Sequence, residues 1–197
     1  MYHLIASEIE RLVFEYLSQI KHKRIAEFLE KWPVKPLQLR AVSANKLPVL
    51  RHLSQVGVHA NSKSLDLLDK MQECSSQIFW GQTYAQSDFG QEFLNNYCWT
   101  ELIGTRGPIV SNEIACGFLL LGPNTHYPGH SHEAEEFYVP LTEALWKQGS
   151  ENWQLIKSEV PIYHKSWISH SMKTQLEPLL ALYIWKNGNL AQKSKID

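Results

Sequence analysis

The chain has little cysteine and no surplus of charge. Its three cysteines, Cys74, Cys98 and Cys116, are odd in number, widely spaced and free of any Cys-x-x-Cys pair. That excludes a disulfide framework and fits a reducing compartment, the cytoplasm. Lysine and arginine number 19 against 20 aspartates and glutamates, a formal net charge of −1. Without excess cations there is no case for a nucleic-acid partner or an anionic membrane. No apolar stretch approaches the length that spans a bilayer. The opening Met1-Tyr-His-Leu-Ile-Ala-Ser-Glu8 lacks a basic start and a long apolar run, so it does not read as a signal peptide. No internal repeat or low-complexity segment is present.

What the chain does have is a core-forming composition and many aromatics. Of 197 residues, 44% are hydrophobic and 20% charged, as in ordinary soluble proteins, and the length suffices to bury a core. Seven Trp, eight Tyr and seven Phe serve mostly that core, with some left to line a pocket.

Two halves differ in pattern. Leu4, Ile5, Ile9, Leu12, Val13, Tyr16, Leu17 and Ile20 recur at helical spacing. Glu8, Glu10, Arg11 and Glu15 are expected largely on the opposite face. The polar face is not basic, so a helix packed on its own protein is favoured over one lying on a membrane; a partner interface, a homodimer included, is the second reading. Lys21-His-Lys-Arg24 reads as a helix end complementing the dipole. Shorter helices are expected at Ala26–Trp32, ended by Pro33 and Pro36, at Leu47–Val56, and after a cap at Asn61 or Ser62, with Leu65, Leu68, Met71 and Ile78 inward. Between Gly81 and Gly104 the character changes to short apolar runs separated by turn residues, the pattern of an all-β fold. Strands are expected at Ile114–Leu121, Phe137–Leu141, Ala144–Lys147, Trp153–Ile156, Ser166–Lys173 and Leu179–Trp185, and Lys186–Asp197 as a frayed polar tail.

The densest chemistry lies in Gly122-Pro-Asn-Thr-His-Tyr-Pro-Gly-His-Ser-His-Glu-Ala-Glu-Glu-Phe-Tyr138. His130, His132, Glu136 and Tyr138 all occupy even positions, and alternate residues of an extended chain share a face. Two imidazoles and a carboxylate suit a borderline divalent ion such as Zn, Fe, Mn or Ni. His170, at the end of a short apolar segment, is the best remote fourth ligand. Histidine is more often structural than ligating, and His3, His22, His52 and His59 are read that way. His126 is out of phase with the ligand set. His164 precedes His170 by an even count and either lines the same cavity or is structural. Glu133 and Glu135 fall on the solvent side by alternation.

His130-x-His132-x3-Glu136 with a remote His170 resembles the two motifs of the cupin superfamily. The longer block, Tyr127-x2-His130-x-His132-x3-Glu136-x-Tyr138, is similar to that of the cupin-type dimethylsulfoniopropionate lyases, which cleave this sulfonium acid to dimethyl sulfide and acrylate. The likeness runs from about Phe89 to Trp185 and includes Thr100-Glu-Leu-Ile-Gly-Thr-Arg-Gly-Pro108; the first eighty residues match only in being helical. It implies a mainly β fold, a single cupin barrel over residues 81–197 with a helical extension over 1–80 packed on it. It also implies one divalent transition metal on His130, His132, Glu136 and His170, two active-site tyrosines, Tyr127 and Tyr138, and a small zwitterionic substrate. Two departures concern turns: Leu141-Thr-Glu143 stands where the first motif closes on glycine, and Lys165 and Trp167 stand where the second carries Pro and Gly.

The residues themselves license metal-assisted proton abstraction; the substrate comes from the resemblance. A base must reach the carbon next to the carboxylate, and a free tyrosine titrates near ~10, so a phenolate needs a cation close by. Tyr127, across Pro128-Gly129 from the ligands, is taken as the base. Tyr138 is taken to orient the substrate or add a ligand; the rival reading for both is plain packing. Trp185, Tyr127 and Phe118 are candidate walls for a sulfonium, because aromatic faces attract cations, with core packing favoured for Phe118. A dioxygenase, an isomerase or a non-catalytic binding cupin remain alternatives at this point.

Overall fold

The computed structural model describes residues 2–57 and 63–197. The expected cap at Asn61 or Ser62, and His59, lie outside them, as does the side chain of His3. Among the described residues four α-helices, α1 (Tyr2–Ser18), α2 (Lys23–Leu29), α3 (Leu65–Cys74) and α4 (Gln86–Leu94), precede eleven strands. The strands form two sheets that face each other as a barrel of the expected mainly β, cupin type. The larger sheet has the order β2 (Ile109–Val110), β1 (Tyr97–Gly104), β3 (Ile114–Leu121), β10 (Leu179–Lys186), β5 (Glu135–Pro140), β8 (Ile162–His164). The smaller runs β11 (Lys195–Ile196), β4 (His126–Ser131), β9 (His170–Lys173), β6 (Ala144–Gln148), β7 (Gln154–Ile156).

The period-2 rule of strands decides which side chains meet the helices. On β3 the even residues Cys116, Phe118 and Leu120 face outward; so do Leu180, Leu182 and Ile184 of β10, and Phe137 and Val139 of β5. They share one apolar cluster with Ile9, Val13 and Leu17 of α1, Phe28 of α2 and Leu67 and Met71 of α3. Leu119, Leu121, Tyr138, Ala181 and Tyr183 face inward, into a second cluster. β3 is therefore buried on both faces, which is why its sequence is a continuous apolar run rather than an alternation. Phe118 belongs to the helix-facing side and is no wall of the cavity.

Several local expectations change. Residues 48–55 form a 3-10 rather than an α-helix. Glu10 is buried, not on the wet face of α1; its Oε1 accepts a 2.6 Å hydrogen bond from Trp32 Nε1. The basic cluster opens α2 instead of closing a helix. His22 stands at its N-cap position without a side-chain cap bond, and Arg24 lies 4.4 Å over the Tyr163 ring and donates to that hydroxyl at 2.9 Å. α4 was not expected at all; glycine at position 90, with φ +79°, kinks it and hides its periodicity. All three cysteines are buried and free.

The segment after β10 is not frayed. Asn187 and Gly188, at φ +62° and +63°, turn the chain back, and a Cβ at Gly188 would meet Glu133 Cγ at 2.8 Å. Asn189 N donates to Glu133 Oε2, Glu133 N donates to Gln192 Oε1, and β11 pairs with β4 opposite Ser131 and His130. Ser131 Oγ donates to Asp197 Oδ1 at 2.8 Å. This strap covers the open end of the barrel.

Candidate metal centre and cavity

The four expected ligands do not share one strand. His130 is the last residue but one of β4, His132 lies in the following turn, and Glu136 and Tyr138 are on β5. They converge across a hairpin, and register brings their partners in. Glu136 is opposite Trp185 on one side and His164 on the other, in the larger sheet. His130 is opposite His170, and His170 opposite Gln148, in the smaller. The centre is the seam between these two cross-strand rows. An irregularity in the β4–β9 pairing between Tyr127 and His130 lets residues three apart face the same interior.

One ligand atom each from His132, Glu136 and His170 lies within 4.8 Å of the others, and all three side chains are buried. His130 borders this group, its ring 4.1 Å from that of His170. Each imidazole is aimed by a nearby carbonyl. His130 Nδ1 donates to Pro128 O at 2.9 Å, His132 Nδ1 to Ala134 O at 3.0 Å and His170 Nδ1 to Ile168 O at 3.0 Å. A carbonyl oxygen only accepts, so each ring carries a proton on Nδ1 and leaves Nε2 for something else. His132 Nε2 stands 3.1 Å, and His170 Nε2 3.2 Å, from the same Glu136 Oε2. Two ring nitrogens against one carboxylate oxygen demand a proton or a cation between them. His170 Nε2 is moreover buried without a hydrogen bond. This donor set fits a divalent ion.

Glu136 is committed on both oxygens, since Oε1 accepts from Trp185 Nε1 at 2.6 Å. Burial opposes its charge, but the His132 and His170 rings outweigh burial and hold the carboxyl well below the usual carboxylate range. Burial first, and His170 second, keep His130 well below the usual imidazole range. His164 also lies against the centre. Its ring stacks on His170 at 4.1 Å and 11°, and its Nδ1 stands 3.1 Å from Gln148 Oε1, closing the seam. His126 points outward to Trp153.

The centre opens into a cavity of about 260 Å³. Tyr127, Tyr138 and Trp185 line it, together with His130 and Glu136. Tyr127 lies flat on His130, centroids 4.0 Å apart and planes at 8°. Tyr138 packs between Trp146 and His164. Trp185 covers His132 with one face, at 4.0 Å and 28°. Burial, then the neighbouring phenols for Tyr127 and the Glu136 charge for Tyr138, push both hydroxyls well above the ordinary phenol range.

Sequence reasoning missed Tyr97, Trp99 and Tyr183 in this lining, although each follows from alternation: Tyr97 and Trp99 share a face of β1, and Tyr183 stands two residues before Trp185. Arg106 and the strap residues Gln192–Ser194 had no local signal, because loops bring them. Arg106 is laid 4.8 Å over the Trp99 ring by the buried carboxylate of Glu101, which accepts from its Nε and Nη2, both at 2.9 Å.

Comparison with known proteins agrees with this fold. The chain superposes over its full length on a structure described as the DMSP lyases RdDddP and RnDddQII, with TM-score 0.90 at 23% identity, covering all of both chains. Against DddQ from Ruegeria pomeroyi DSS-3 the TM-score is 0.81 at 22% identity, over 95% of each. At these identities the likeness is one of fold. In sequence the chain is 30% identical to dimethylsulfoniopropionate lyase DddQ of Ruegeria pomeroyi over 108 residues, 54% of each protein; it spans about half the length of the curated relatives it matches. The sequence model of the dimethylsulfoniopropionate lyase family matches residues 19–181, starting inside the helical layer rather than near Phe89. On that match the chain belongs to the dimethylsulfoniopropionate lyase family.

Proposed function

We propose that this protein is a carbon–sulfur lyase that cleaves dimethylsulfoniopropionate to dimethyl sulfide and acrylate by a tyrosine-initiated β-elimination. The observation that carries the reading is the buried His132–Glu136–His170 group opening onto a cavity walled by tyrosine and tryptophan, in a chain matched by this family over residues 19–181. His130, His132, Glu136 and His170 would hold one divalent ion, which when bound supplies positive charge that polarises a carboxylate and steadies a nearby phenolate.

The remaining work falls to the chain. Trp185, Tyr127 and Tyr138 present aromatic surface to the sulfonium. The Tyr127 oxygen takes the proton from the carbon beside the carboxylate. The C–H electron pair becomes the second bond of the alkene as the C–S bond breaks. Its pair stays on sulfur, which leaves as neutral dimethyl sulfide, so no general acid is needed. One proton is released per turnover. Tyr138, beside Glu136 on β5, orients the substrate or completes the ligand set.

The test is headspace detection of dimethyl sulfide from metal-loaded protein and dimethylsulfoniopropionate. Equal amounts of sulfide and acrylate are expected; no sulfide from protein of verified metal content rejects the lyase reading. Tyr127→Phe is expected to keep metal and substrate binding and lose most of kcat, together with solvent deuterium exchange at the substrate's α carbon. Normal turnover by Tyr127→Phe, with Tyr138→Phe dead at full metal content, reverses the two roles.

A further inference from the structure

Tyr84 is a buried phenol from a loop, outside the Tyr127–Tyr138 block, and the elimination chemistry does not use it. Its hydroxyl lies 2.9 Å from that of Tyr127. Its ring meets Tyr127 edge-on at 5.8 Å and is itself wedged against Phe89 at 4.7 Å, Tyr97 at 5.7 Å and Phe93 at 6.2 Å. On its other side the strap closes in, with Lys193 Nζ 5.6 Å from the ring centroid and Ser194 close to the hydroxyl. Tyr84 is therefore held by α4 and the strap together, and is 5% exposed.

Tyr127 is differently placed. Its ring plane is set by the stack on His130, but a phenol hydroxyl still rotates about its C–O bond. A hydrogen bond to a fixed partner takes up one side of that oxygen and leaves the other side facing a defined direction. We propose that Tyr84 is a positioning residue for Tyr127: its hydroxyl engages the Tyr127 oxygen from the α4 side, so that the free side of that oxygen faces the cavity. The proposal rests on the lyase reading for its effect on turnover, and on geometry alone for its effect on Tyr127.

The experiment uses Tyr84→Phe, which keeps the packed ring and removes only the hydroxyl, in the full-length, metal-loaded protein. With tyrosine labelled at 13Cζ and the Tyr127 signal assigned by its loss in Tyr127→Phe, Tyr84→Phe is expected to shift the Tyr127 resonance. An unmoved Tyr127 resonance overturns the proposal whatever the enzyme does. In turnover of dimethylsulfoniopropionate, kcat is expected to fall about tenfold, the size of one hydrogen bond, with KM within about twofold and metal content unchanged. Because the effect runs through Tyr127, the double variant Tyr84→Phe/Tyr127→Phe should be no slower than Tyr127→Phe alone; a further additive loss overturns the proposal. Tyr163→Phe, outside the cavity, serves as the control for loss of a tyrosine hydroxyl. Should wild type release no dimethyl sulfide, the lyase reading fails while the resonance still decides the role of Tyr84.

Discussion

At the scale of single residues, Trp185 combines two tasks that are easily separated. Its face covers His132 and its N–H donates to Glu136 Oε1 at 2.6 Å. Trp185→Phe keeps an aromatic face and leaves a buried carboxylate oxygen unpaired, a cost of about 1–3 kcal/mol. Such supporting bonds typically matter by roughly 10–100-fold in metal affinity, so a loss of that size is expected in chelator competition. Affinity equal to wild type would mean that the indole acts by packing alone. That His132, Glu136 and His170 come together was legible from the sequence because spacing and side-chain chemistry are local. Their arrangement was not, since evenness of number suggested one strand where a hairpin and a cross-strand register do the gathering.

At the scale of elements, one of the two unusual turns takes a left-handed backbone without a glycine. Trp167 adopts φ +60° while half exposed, and its N–H donates to His132 O at 2.8 Å. A left-handed backbone at a non-glycine residue costs roughly 1–2 kcal/mol, so the bond to the ligand turn holds a conformation the side chain disfavours. Trp167→Gly should raise stability by about 1 kcal/mol in urea unfolding, and a fall would show that the indole contributes packing. Where glycine is kept, it is for close approach. A Cβ at Gly117 would collide with the Thr100 carbonyl oxygen, next to the bulge between Glu101 and Ile103. Gly117→Ala is expected to destabilise by about 3 kcal/mol, at the upper end for overpacking, lowering the unfolding midpoint with the slope unchanged. Long apolar runs such as β3 and β10 were legible as strands, whereas β2, β8 and β11 are two or three residues long and carry no period. The strap was misread because its order comes from partners on β4 and from Glu133, far away in sequence.

At the scale of the whole molecule, the helices and the barrel share one apolar cluster rather than meeting at a polar boundary. Removing residues 1–80 would uncover Cys116, Phe118, Leu120, Leu182 and Ile184 at once, a continuous patch of the kind that drives association. The truncated chain is expected to aggregate or bind a hydrophobic dye; a soluble, monomeric barrel of unchanged near-ultraviolet circular dichroism would show that the two parts stand alone. No helix among the described residues is long and apolar enough to cross a membrane. The helical layer and its packing on the barrel were legible, but the individual polar contacts that fix it were not. The buried Glu10–Trp32 bond and the Arg24–Tyr163 contact link positions that have no sequence relation.

Each of the three imidazoles bonds a carbonyl only two residues from itself. Orientation is thus a local property of the chain and is complete before anything arrives. A divalent ion of the kind proposed above would find the rings already turned, with no backbone to bend. Under the metal reading proposed above, choice among divalent ions would then rest on the fixed ring geometry, the ligand set and the ions available, with no share left to the chain's own adjustment.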